Sequence, residues 1–116
     1  MGRFVRDITT IVKPFLARNG GPVILAQIEN EYRWEDSAYI KWCGELVQSL
    51  SLDIPWMMCN GHSASNTINT FNGNDGAKYA EEHHGSFPGQ PLAWTEDEGW
   101  FQSWSKVPTN LSLIHI

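Results

Sequence analysis

The sequence is short of cysteine, of positive charge and of long apolar runs, and each shortage removes a class of protein. Cys43 and Cys59 are the only thiols in 116 residues. They are too few, and too far from any metal-ligand spacing, for a disulfide framework or a thiolate metal site, so two buried free thiols are expected. Eight Lys and Arg face thirteen Asp and Glu, a formal charge of -5. The cations are scattered and form no stripe that could neutralise phosphates, which argues against a nucleic-acid partner. No apolar run approaches the length of a membrane span. Arg3, Arg6 and Asp7 break up the first residues, so no signal-peptide pattern is present there; in a piece of a longer chain this leaves the compartment open. No internal repeat or linker divides the chain. Tryptophan, by contrast, is plentiful, with six residues. Indole rings pack against the C–H faces of sugars, and they also line cores and clefts.

The chain is organised around Gly20-Gly21-Pro22-Val23-Ile24-Leu25-Ala26-Gln27-Ile28-Glu29-Asn30-Glu31-Tyr32. A turn signal leads into an apolar run from Val23 to Ile28, with Gln27 its one polar member. Such a run reads as a strand over Pro22 to Glu31, buried on both faces. With a period of two, Gln27, Glu29 and Glu31 project from one face and Asn30 from the other. An apolar strand with an acidic carboxyl end fits a parallel α/β architecture, where active sites gather at that end. Core stability does not ask for Glu29-Asn30-Glu31 there, because a carboxylate at a core edge must be paired or tuned.

This stretch resembles the signature of glycoside hydrolase family 35, the retaining β-galactosidases: Gly-Gly-Pro, two aliphatics, two free positions, Gln, a free position, Glu-Asn-Glu and an aromatic. The resemblance implies that Glu31 is the acid/base and that Asn30 binds the sugar. It is dense also at residues 54–59 and 91–101. Pro91-Leu92-Ala93-Trp94-Thr95-Glu96 followed by Gly99-Trp100-Phe101 is similar to the family's nucleophile strand and its sugar-binding Trp, which implies Glu96 as nucleophile and Trp100 as substrate-binding. The turn between Glu96 and Gly99 is one residue shorter than the family pattern, so Glu98 stays a competitor and the place of Trp100 stays open. Trp100 and Trp104 could equally be a core pair at helical spacing. Where the family commonly carries Cys, this chain has Phe71.

The remainder supports an α/β order. Phe4, Val5, Ile8, Val12, Phe15 and Leu16 recur at helical spacing over residues 2–18. Pro14 should kink or end that helix early, and Asn19-Gly20 supplies a stop. Tyr39, Trp42, Cys43, Leu46, Val47 and Leu50 form the best helical face, capped by Asp36 or Ser37, with Gly44 weakening it by about 1 kcal/mol. Strands are expected at Ile54 to Cys59, Thr67 to Phe71 and Gln90 to Glu96. Gly73 to Gly89 reads as a surface loop with one helical turn around Ala77 to His83. A metal reading of Glu81-Glu82-His83-His84, with His62, competes with an exposed hydrated loop, but adjacent histidines do not converge on one ion from a helix. No metal or cofactor is expected.

A complete (β/α)8 barrel needs about 250 residues. The family resemblance therefore implies an incomplete TIM barrel, from the third helix to the seventh strand, over residues 1–110. Leu111 to Ile116 resembles a translated sequencing adapter and is expected to be a non-native tail. The resemblance implies a hydrolase of terminal β-linked galactose on oligosaccharides or glycans, inactive as this piece alone, from an extracellular, vacuolar or lysosomal parent. A carbohydrate-binding remnant without turnover is the alternative.

Overall fold

The computed structural model describes residues 1–32, 36–60 and 63–97. Four strands form one sheet: β1 (Ala26–Asn30), β2 (Trp56–Cys59), β3 (Ile68–Gly73) and β4 (Trp94–Asp97). They lie in sequence order and every pair is parallel. Three α-helices accompany them: α1 (Gly2–Val12), α2 (Ser37–Leu50) and α3 (Gly76–Ser86). This is a small parallel α/β unit, the arrangement expected of part of a barrel.

Helix α1 stops where Pro14 requires it to, passing into short 3₁₀ turns at Lys13–Phe15 and Ala17–Asn19. Its inner stripe, Val5, Thr9 and Val12, runs with Leu16 beyond its end into a cluster with Leu50, Leu52, Val23, Ile54 and Trp56. Burying each of Leu16, Leu50 and Leu52 stabilises the unit by roughly 1.5–3 kcal/mol. The second stripe, Phe4, Ile8, Ile11 and Phe15, is exposed. Helix α2 is capped by Asp36, whose carboxylate accepts from the Ala38 and Tyr39 amides at 2.9 and 3.2 Å. Ile40 and Cys43 bury against Met58 and Ala64, with Ile28 packed beside them. Both Cys43 and Cys59 are buried free thiols.

Several sequence expectations are corrected. The first strand starts at Ala26 rather than Pro22, because Val23 bonds backwards: its amide donates to Phe15 O at 2.9 Å and its carbonyl accepts from Ala17 N at 2.8 Å. Gly21 permits this doubling back, since a Cβ there would sit 2.1 Å from Phe15 O. Nor is the run buried on both faces. Ile24 is 64% and Leu25 42% exposed, as no described element covers them. At the other end, the strand expected from Gln90 begins at Trp94. The Gln90 side chain does the pairing there, accepting from Asn69 N at 2.8 Å and donating to Thr67 O at 3.1 Å.

The expected loop at 73–89 contains α3, about three turns long. Asp75 caps it by accepting from Lys78 N at 3.1 Å, and Tyr79 stacks on Phe71 with ring centroids 4.7 Å apart. Its contact with β3, more than its mixed composition, makes it a helix. His83 accordingly is buried rather than hydrated, at 2% exposure.

Candidate active site

The carboxyl ends of the four strands meet at one edge of the sheet, and local irregularities decide what faces inward. The β1–β2 register runs Gln27↔Met57 and then Glu29↔Met58, so Ile28 is an extra residue on β1. A bulge of this kind changes the phase of alternation. Gln27 and Asn30 come to one face, where Gln27 Nε2 donates to Asn30 Oδ1 at 2.9 Å. Glu29 turns to the other, where it accepts the Tyr39 hydroxyl of α2 and, at 2.8 Å, the Asn30 amide. The second irregularity is Glu31, which leaves the strand at φ 60°. Its amide still donates to Cys59 O at 3.1 Å, but its side chain joins Asn30. The expected grouping of Glu29 with Glu31, opposite Asn30, is therefore overturned. Bulge and left-handed turn together put Asn30 and Glu31 side by side and leave Glu29 a packing partner of α2.

Asn72 brings the two together. It is 3% exposed, and its Nδ2 lies 3.1 Å from both Asn30 Oδ1 and Glu31 Oε1. Asn60, directly after β2 at φ 53°, holds the Asn72 backbone from both sides. Its Oδ1 accepts Asn72 N at 2.9 Å and its Nδ2 donates to Asn72 O at 3.1 Å.

A register shift between Phe71 and Asn72 makes Glu96 the partner of Asn72 across β3 and β4, and partners in register project from the same face. Glu96 is exposed at the end of β4. Cys59, 1% exposed, ends β2. Thr95 Oγ1 lies 3.4 Å from Cys59 Sγ and 2.8 Å from Thr70 Oγ1. Burial pushes the Cys59 thiol up, while its hydrogen bonds with Thr95 and Thr70 act in the opposite direction. A hydrogen-bonded carboxyl just past β1 and an exposed carboxyl on β4, three strands along, are the parts needed for acid/base and nucleophilic work.

Three of the four site residues read from the sequence, Asn30, Glu31 and Glu96, share this edge. Trp100 lies outside the described residues, as do Glu98, His62 and the tail at 111–116. Sequence reasoning missed Asn60 and Asn72. Asn72-Gly73 was legible as a strand-closing pair, and an Asn at the end of a buried strand was the available signal. Among the described residues, no group of three or more His, Cys, Asp or Glu could hold a metal ion. His83 lines a separate cavity of about 240 Å3 behind β3 with Asn60, Tyr79 and Glu82, and neither of its ring nitrogens has a partner among the described residues.

The family model for Glycosyl hydrolases family 35 matches residues 1–113. The chain belongs to that family. It is 41% identical to a probable beta-galactosidase 2 of Dictyostelium discoideum, over 92% of this chain and 15% of that protein. It is also 41% identical to beta-galactosidase 14 of Arabidopsis thaliana, over 82% of this chain and 12% of the relative. Beta-galactosidase 8 of the same plant is 39% identical, over 87% and 13% respectively. The chain thus spans 12–15% of the length of these relatives. Among the described residues, no helix is long and apolar enough to cross a membrane.

Proposed function

We propose that this chain carries the two catalytic carboxyls of a retaining β-galactosidase-like glycosidase, on the third-helix to seventh-strand segment of an incomplete (β/α)8 barrel. The observation behind this reading is that Glu31, directly after β1, bonds Asn72, while Glu96, at the same end of the parallel sheet on β4, is the register partner of Asn72. In the first displacement Glu31 protonates the departing glycosidic oxygen while Glu96 attacks the anomeric carbon. In the second, Glu31 takes a proton from water, which releases the sugar from Glu96. Retention requires a carboxyl separation of about 5–5.5 Å. Asn30 binds the sugar and Trp100 stacks on it. The substrates are terminal β-linked galactosides on oligosaccharides or glycans, met in an extracellular, vacuolar or lysosomal compartment.

The piece alone is inactive on this reading, because four strands do not close a barrel and Trp94–Asp97 and Ala26–Asn30 remain sheet edges. Loss of turnover in Glu31→Gly and Glu96→Gly of the longer enzyme, with opposite stereochemical rescue by azide, tests the assignment. A protein that binds galactose equally well with both residues replaced, and never turns it over, would instead be a carbohydrate-binding remnant.

A further inference from the structure

We propose that Asn72 is the positioning residue of the acid/base carboxyl, its amide locking Glu31 and Asn30 into one arrangement. This rests on the reading of Glu31 as the acid/base. Past Asn30 the strand ladder no longer sets the direction of the chain, and Glu31 sits at φ 60°. Side-chain bonds then help decide where its carboxyl points. Asn72 Nδ2 carries two protons and has two acceptors, Asn30 Oδ1 and Glu31 Oε1, each at 3.1 Å. The opposite amide orientation would set Oδ1 against both of these oxygens, so the donor must face the carboxyl. Asn60 holds the Asn72 backbone in turn, clasping its N and O at 2.9 and 3.1 Å.

The arrangement is poor for stability alone. Asn72 Oδ1 is buried with no partner among the described residues, a cost that a leucine of similar size would avoid. What the asparagine contributes is direction. A general acid must meet the leaving oxygen within hydrogen-bond reach as the bond breaks.

The test uses Asn72→Leu in the intact enzyme, beside Glu31→Gly, with an alkyl and a dinitrophenyl β-galactoside. The kcat/KM value reports the first displacement for both substrates. The alkyl substrate needs protonation of its leaving oxygen, so its kcat/KM should fall about 10- to 100-fold, while that of the dinitrophenyl substrate falls less than about threefold. A role confined to packing would lower both equally, and equal loss or no loss in Asn72→Leu beside selective loss in Glu31→Gly overturns the proposal. If Glu31→Gly itself shows no selectivity, the acid/base reading fails and the proposal falls with it. Should Asn72→Leu not fold, Asn72→Ala, which loses the donors without adding a charge, must show the same selective loss.

Discussion

The Tyr39 hydroxyl donates a hydrogen bond to the Glu29 carboxylate across the contact between α2 and β1. Glu29 is thereby held on the helix side, and its neighbours Asn30 and Glu31 are left for the opposite face. Tyr39→Phe removes the donor while keeping the ring that packs 4.6 Å from Tyr32. Both partners keep some contact with solvent, so the loss should be about 1 kcal/mol. A urea midpoint of the intact enzyme unchanged by Tyr39→Phe would show that the bond contributes nothing.

The same bond has an alkaline signature. Burial, and then the bond to Glu29, raise the Tyr39 phenol; burial raises the Cys43 and Cys59 thiols. A raised pKa in the folded state means that the unfolded chain loses its protons first. The contribution is fully present below the unfolded pKa and declines as pH rises past it, beginning near about 8.5 for the thiols and about 10 for the phenol. The thermal midpoint of the intact enzyme should fall from about pH 8.5 upward, and Tyr39→Phe should flatten the part above about pH 10. A midpoint that rises over that range contradicts the assignment.

Gly44 sets helix propensity against packing. Alanine in a helix interior gains up to about 1 kcal/mol over glycine. Here a Cβ would lie 2.6 Å from Asn66 Oδ1 and 2.7 Å from Ala64 Cβ, and Asn66 Nδ2 already bonds Gly44 O at 2.9 Å. Gly44→Ala should therefore destabilise, by about 1–3 kcal/mol. A higher thermal midpoint in this variant would mean that the loop at 63–66 yields freely.

The two carboxyls should fail differently when removed. Glu96→Gly abolishes turnover because no covalent intermediate can form, and azide attacking an activated substrate gives the α-galactosyl azide by a single inversion. Glu31→Gly keeps the nucleophile, so azide intercepts the intermediate and a second inversion gives the β-azide. An α product from the Glu31 variant would sink the assignment. If Glu98→Gly reproduces the Glu96 pattern, the nucleophile lies two positions on.

Expressed alone, the 116-residue chain should aggregate or bind hydrophobic dyes, and should not hydrolyse a β-galactoside. Phe4, Ile11 and Ile24 are each more than 60% exposed, and β1 and β4 are both edges of the sheet. A soluble monomer with a sharp thermal transition and turnover is the contrary outcome.

Much of this was legible in the residues themselves. The apolar run ending in Glu-Asn-Glu marked a parallel strand with a chemical end. The spacing from Tyr39 to Leu50 marked α2, Asp36 its cap, and Pro14 the end of α1. These are local signals, carried by propensity, caps and periodicity within one segment. The direction of each polar side chain was not local. Whether Glu29 or Asn30 joins Glu31 depends on Ile28 standing unpaired against β2, and on a left-handed turn at Glu31 held through the Cys59 carbonyl. The extent of α3 depends on Phe71 beneath Tyr79, and the start of β4 on a Gln90 side chain taking a strand's place. Composition and spacing determined the four strands, the first two helices and their order, and which carboxyls stand at the strand ends. Register between strands distant in sequence decided which of those carboxyls face the same side, because a shift of one residue reverses every side chain that follows it.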